Sequence, residues 1–505
     1  MTKRVLIVNC YFDETRRALQ LSNKMPQAMG PAFLAGALSP ELCEIRLYDE
    51  VSGGPLEDPD LLAWPDMLVL TGLTVAFDRM LHLTAYARTR NPRVIVVAGG
   101  PAVRALPRLS GEYFDYVCLG DVEELRDVAR EAFGPAFVAD QMIPRFDLAS
   151  WITWLGYVES SRYCNFRCSF CALTGEGRGY TKYSLNDIRR QIEAMGRKKA
   201  MLFIDNNFYG NDRKYFLARV ELAAEMRRGG HFKRWSALVT NDFFYNQENL
   251  EVVREAGCFG LFSGVESFDA EWLRSSNKLQ NTRFPQVEMI RNTLEQGLAF
   301  FYGVIMDVTT RTVADLQREL EFITGNPEVS LPGFITLPIP LLGTPFFRDC
   351  LEREAFLPNT KLRDLDGTTV SLRPLDEPER VLQFVKDIQN LRGYRGRVLK
   401  HAAQFAARYR RSLSPLQIGL CVGSAALLCA GNTVTAPGWS NRRRRPVQPR
   451  THLSTTEPLD AVYTPAFPVA SRFERYFQPT MVTDGAGQLS EDLEELSVPV
   501  LVGAV

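Results

Sequence analysis

Histidine is almost missing from this chain of 505 residues, which has four in all. The nearest to the densest group of cysteines are His82 and His231, too far along the chain to complete a compact zinc site. Ten cysteines are too few for a disulfide framework. Neither sign of charge is in excess, since Lys plus Arg and Asp plus Glu both number 59, so nothing global draws the chain to nucleic acid or a membrane surface. No G-x-G-x-x-G occurs, and a nicotinamide dinucleotide is not expected. The N-terminus has no long apolar leader and runs straight into a strand pattern at Val5–Val8. No signal peptide is expected, and the cytoplasm is the default compartment. The apolar stretch 416–430 falls short of the roughly 20 residues that span a bilayer and contains Gln417 and two glycines. It reads as a buried or interfacial helix: stable membrane insertion is not expected, and weak peripheral contact would run through 416–430. The run Arg442–Arg445 reads as a solvated loop.

What is present is more telling. The chain is 46% hydrophobic and 23% charged, ordinary for a globular protein, and long enough for two to four domains. Three cysteines, Cys164, Cys168 and Cys171, fall within eight residues in the spacing C-x3-C-x2-C. Soft thiolates this close suit soft metals, above all an iron–sulfur cluster. Electron-transfer clusters normally take four cysteines, so three leave one iron open to another ligand.

This pattern, with Phe170 as the aromatic before the last cysteine, resembles the signature of the radical S-adenosylmethionine (SAM) superfamily. The resemblance implies a 4Fe–4S cluster on the three thiolates and SAM bound to the open iron through its amino and carboxylate groups. One electron from the cluster would then cleave SAM to methionine and a 5′-deoxyadenosyl radical.

Before the triplet, strand patterns at Val5–Val8, Cys43–Val51, Met67–Leu70, Val94–Ala98 and Tyr116–Leu119 alternate with helical ones. That order predicts a doubly wound, Rossmann-like parallel sheet over 1–134 with ligands at the strand C-termini. The strand ends read Thr71-Gly72-Leu73-Thr74, Gly99-Gly100-Pro101 and Gly120-Asp-Val-Glu123-Glu. They are similar to those of the cobalamin-binding domain that precedes many radical SAM domains, which implies cobalamin contacts at Thr71, Gly72, Thr74, Gly99, Gly100, Pro101, Gly120 and Glu123. One departure stands out. The loop after the first strand, Asn9-Cys-Tyr-Phe-Asp-Glu-Thr-Arg-Arg, has no histidine to ligate cobalt from below. Such a lower face favours cob(I)alamin, a strong nucleophile; the alternative is a domain that has lost cobalamin. His82 falls in a helical pattern and reads as structural.

Residues 135–150 read as a linker. From 151 to 350 six strand–helix units follow, which predicts a partial (β/α)6 barrel with its site at the strand C-terminal edge. Asp205-Asn-Asn207-Phe, Gly264-Val-Glu266-Ser267, Val304–Asp307 and Gly343-Thr-Pro345 stand at strand ends. The resemblance gives Asp205, Asn207, Glu266, Ser267 and Asp307 to SAM binding, although each also suits a cap or turn. Residues 351–505 read as helical and irregular and match no known domain.

Taken with the resemblance, the expected protein is an α/β cobalamin-dependent radical SAM methyltransferase. It would move a methyl group from SAM, by way of methylcobalamin, to an unactivated carbon of a natural-product or lipid-like small molecule. A reductase of flavodoxin or ferredoxin type would supply electrons, and nucleic acid is not an expected partner. Two alternatives remain: a cyclase or oxidoreductase using the same cofactors, and a non-catalytic electron-transfer or cobalamin-sensing protein.

Overall fold

The computed structural model describes residues 2–11, 28–390, 392–430 and 463–496. The chain divides into two compact units. The first comprises 1–152, 340–372 and 450–505, and the second 153–339 and 373–449.

The first unit is built on five parallel strands: β1 (Lys3–Cys10), β2 (Cys43–Asp49), β3 (Met67–Gly72), β4 (Ile95–Gly99) and β5 (Tyr116–Cys118). Their order in the sheet is β2-β1-β3-β4-β5, so the winding reverses between β1 and β3, where ligand crevices form in such sheets. Val5, Leu6, Ile7 and Val8 have no exposure at all, which explains why these strands read as continuous apolar runs rather than alternating ones. Residues 135–152 stay with this unit: Ala139 N–H donates to Ala37 O at 3.1 Å and Arg145 N–H to Ala32 O at 2.8 Å.

The end of the chain returns to the same unit. In the helix Phe77–Arg90, Asp78 accepts the Tyr463 hydroxyl at 2.6 Å and the Thr480 N–H at 3.1 Å. His82 is buried, stacked on Phe477 with ring centroids 4.7 Å apart and meeting Tyr463 edge-on. Its role is packing.

The second unit carries a parallel sheet ordered β12-β11-β10-β9-β6. Its strands are β6 (Leu155–Val158), β9 (Lys198–Phe203), β10 (Phe232–Val239), β11 (Cys258–Ser263) and β12 (Ala299–Phe301). A short antiparallel pair, β7 (Ser161–Arg162) and β8 (Thr181–Lys182), brackets the cysteine loop. The chain breaks at Tyr302 and resumes as β13 (Gly303–Ile305), which alone pairs with β14 (Phe334–Thr336). Six strand–helix repeats in sequence thus become a five-stranded sheet and a separate two-stranded one. Helices Pro378–Asn390, Arg395–Tyr409 and Pro415–Ala430 complete the unit. Gln417 anchors the last of them by donating to Phe259 O at 2.8 Å and Gly297 O at 2.7 Å.

Candidate functional site

The cysteine loop leaves β7 through Tyr163, whose backbone is left-handed at φ 62°. Cys164 follows, Cys168 accepts the Cys171 N–H in a turn, and Cys171 caps the short helix Ala172–Glu176. Cys168 is buried and the other two half-buried. The loop is fastened to the far side of the site: Ser169 N–H and Oγ both donate to Ser276 O at 3.1 Å, and Asn277 donates to Arg167 O at 2.7 Å. Phe170 stacks on Trp272 at 6.1 Å, and Trp272 Nε1 donates to Asp307 at 2.9 Å. The aromatic before the last cysteine therefore holds the loop against the strand ends.

A buried ion pair faces the thiols. Lys278 Nζ lies 2.6 Å from Glu266 Oε1, and 5.6 Å from the Phe170 ring centre. Desolvation pulls the Lys278 ammonium down, but Glu266 and the thiols of Cys168 and Cys171 outweigh it, so it stays protonated. Gln280 Nε2 reaches Cys168 Sγ at 3.5 Å. Burial pushes the Cys164 thiol up to about 11 and also raises Cys171; thiolate charge on Cys168, and for Cys164 on Cys171 as well, adds to the rise, and Lys278 opposes it. Such thiols ionise when a metal supplies positive charge.

Five non-glycine residues among those described are left-handed, and three flank this site: Tyr163, Glu266 (φ 61°) and Asn277 (φ 53°). Backbone strain of this kind collects where a site must be preorganised. Glu266 is held there by its N–H to Gly303 O at 3.1 Å and by Ile305 N–H to its carbonyl at 2.8 Å.

The other expected residues divide. Asn207 joins the loop, donating to Asn165 Oδ1 at 2.8 Å. Asp205 has no exposure; it accepts Ser160 N–H and Oγ at 2.7 Å each and faces Arg219 at 3.8 Å. Burial pushes its carboxyl up, against the pull of Arg219 and the serines. Ser267 gives its hydroxyl to Glu319 at 2.7 Å and accepts from Arg311 at 3.1 Å, while Asp307 takes Thr309 and Thr310 besides Trp272. All three are bonded to side chains at or near the strand ends. Lys278, Gln280 and Asn165 escaped sequence reasoning because a Lys and a Gln between turns carry no spacing signal.

Whether the loop suits a cluster can be judged from its donors. Among the described residues no three His, Cys, Asp or Glu side chains converge tightly enough to clasp one metal ion. Three thiols on one loop supply the soft donors that three corners of an iron–sulfur cube take, and no fourth His or Cys stands beside them in sequence to close a zinc site.

In the first unit the expected residues line the strand ends. Gly72 and Gly100 pack against each other, and a Cβ on Gly100 would stand 2.7 Å from Gly72 O. Pro101 opens the helix Pro101–Ala105. Gly120 donates its N–H to Glu124 and accepts from Arg104 at 2.7 Å. Thr71 and Gly72 end β3, Gly99 ends β4, Thr74 is buried in the turn after β3, and Glu123 is exposed in the turn after β5. Beside them Leu73 and Leu119 are 65% and 40% exposed, an apolar rim on a sheet edge. Of the loop after β1, only Asn9–Tyr11 is among the described residues.

Residues 158–323 match the model of the radical SAM superfamily. The hopanoid C-2 methylase of Rhodopseudomonas palustris (strain TIE-1) is 26% identical over 407 residues, covering 76% of this chain and 74% of the relative. The radical SAM methyltransferase TsrM from Kitasatospora setae, solved with tryptophan and a SAM analogue, superposes with a TM-score of 0.55. The match has 14% identity and covers 84% of this chain and 96% of TsrM. The cobalamin-dependent SAM radical enzyme OxsB, solved with aqua-cobalamin and SAM, gives a TM-score of 0.54 at 15% identity, covering 81% and 72%.

Proposed function

This chain carries a radical SAM domain and is an enzyme, and from that premise we propose that it is a cobalamin-dependent C-methyltransferase acting on an unactivated carbon of a small, lipid-like or natural-product substrate. The observation that carries the reading is the cysteine loop set against the Glu266–Lys278 pair. Three thiols hold a cluster, and a carboxylate and an ammonium beside them match the amine and carboxylate of SAM in charge. When bound, the cluster supplies the electron that cleaves SAM, and cobalamin carries the methyl group.

The residues of the chain do the positioning. Cys164, Cys168 and Cys171 ligate, Phe170 and Trp272 fix the loop, and Gln280 donates to Cys168. Asn165 and Asn207 tie the loop to the end of β9. In the first unit the strand ends from Thr71 to Thr74, at Gly99-Gly100-Pro101 and from Gly120 to Glu123 form a close-packed floor with an apolar rim at Leu73 and Leu119. That floor suits a large flat ligand such as a corrin. The likeness to the hopanoid methylase supports an apolar substrate, and a flavodoxin or ferredoxin is the proposed electron donor.

The same cofactors keep a second reading, cyclisation or oxidation without methyl transfer. The experiment is anaerobic turnover of the reconstituted protein with candidate substrates, counting methylated product, S-adenosylhomocysteine and 5′-deoxyadenosine. Methyl transfer yields all three; turnover giving only 5′-deoxyadenosine rejects it. A Cys168→Ala chain should lose iron, sulfide and SAM cleavage together.

A further inference from the structure

Charge is balanced over the whole chain but not along it. Between Asp387 and Glu457 there is no acidic residue, while seven basic residues stand from Arg392 to Arg411 and five more from Arg442 to Arg450. The second group lies outside the described residues. The first group lies on or next to the helix Arg395–Tyr409, which packs on the helix Pro415–Ala430.

That last helix is unusual for a surface element. None of its sixteen residues is charged. A helix resting on a sheet normally turns a polar face outward. Here the inner face is fixed by Gln417 and by Cys421, whose carbonyl accepts Leu331 N–H at 3.1 Å. The outer face presents Leu416, 52% exposed, and Leu420, 46% exposed, with Gly419 between them. Leu399 on the neighbouring helix is 56% exposed. Arg410 and Arg411 are exposed in the turn that leads into this face.

We propose that this face docks on an anionic lipid bilayer, the helix Pro415–Ala430 lying in the plane of the interface with Leu416 and Leu420 inserted and Arg410 and Arg411 against lipid phosphates. Among the described residues no helix is long and apolar enough to cross a membrane, so the contact is peripheral. Basic residues gain from a negatively charged leaflet, and apolar side chains gain from the acyl boundary; neither alone holds a protein there, and the two together do. Nucleic acid would engage the arginines but offers nothing to an uncharged helix with exposed leucines.

The test is flotation of the full-length reconstituted protein with vesicles of phosphatidylcholine alone and of phosphatidylcholine mixed with phosphatidylglycerol. Binding to the mixed vesicles is expected to be at least about tenfold stronger and to fall as salt rises. Leu416→Glu with Leu420→Glu, and separately Arg410→Gln with Arg411→Gln, should each weaken it by roughly tenfold or more. All four side chains are exposed, and unchanged melting of both variants would show that they fold. Equal binding to both vesicle types, binding untouched by both variants, or no vesicle binding beside tight binding to duplex DNA overturns the proposal. The assay needs no turnover, so it stands or falls apart from the methyltransferase reading.

Discussion

Glu319→Gln and Ser267→Ala together test whether Ser267 serves the ligand or the fold. Glu319 and Arg311 are 5% and 7% exposed and lie 2.6 Å apart. One Glu319 oxygen takes Ser267 Oγ at 2.7 Å and the Phe268 N–H at 2.5 Å, and the other takes Arg311. Glutamine can keep the first set or the second. Whichever it keeps, its amide N–H2 faces a donor. Breaking a buried ion pair from one side costs about 3–5 kcal/mol. Arg311 retains Ser267 at 3.1 Å and Asp269 at 3.7 Å, which places the loss near the lower end, at about 3 kcal/mol. Calorimetry should show the melting temperature down by roughly 6–12 °C, at 2–4 °C per kcal/mol. Ser267→Ala removes a hydroxyl bonded to the same carboxylate and should cost about 1–2 kcal/mol. Because Glu266 stays pinned to Gly303 and Ile305, SAM affinity of the folded Ser267→Ala protein should move by less than about threefold, well under the ~1.4 kcal/mol that a tenfold change represents. A Ser267→Ala protein that melts like the parent yet binds SAM tenfold more weakly refutes this reasoning and puts the hydroxyl on the cofactor.

Other perturbations follow from the same geometry. Burial holds the His82 imidazole well below its usual value of 6.5, so the unfolded chain takes up a proton there before the folded one does. Its contribution to stability is complete above pH 6.5 and is lost as pH falls below it; His82→Phe should flatten the acid side of a plot of urea midpoint against pH, and an unchanged slope would count against it. At Glu266, φ 61° makes alanine costlier than glycine, and Glu266→Ala should unfold about 1 kcal/mol sooner than Glu266→Gly in denaturant titration. Both variants should bind SAM poorly; a Glu266→Ala protein as stable as the glycine one would mean the backbone relaxes. Gln417→Leu strands the carbonyls of Phe259 and Gly297 and should cost about 2–4 kcal/mol by the same titration.

Much of this protein could be read from its sequence, because its strongest signals are local. Three cysteines on one loop need no fold to be recognised as a soft-metal site. The apolar runs at β1, β3 and β4 are short and end at turn residues, which reads as buried parallel strands. What escaped was set by distance along the chain. Lys278 meets Glu266 only because a tight turn at Asn277 carries the chain back toward the end of β11. Asp205, Ser267 and Asp307 stand at strand ends, where carboxylates and hydroxyls serve a ligand or a brace equally well. Which they serve depends on partners such as Arg219, Glu319 and Trp272, none of them near in sequence. Tyr463 and Thr480 close on Asp78 across 385 and 402 residues, and no periodicity announces that. The same logic explains why the cysteine loop is so firmly held. Its cysteines are fixed by spacing, but their orientation depends on Ser276, Asn277 and Trp272, contributed by a segment a hundred residues away. The site therefore forms only once β6 and β11 have joined one sheet, and mutations in 272–281 should impair cluster assembly as severely as mutations beside the cysteines do.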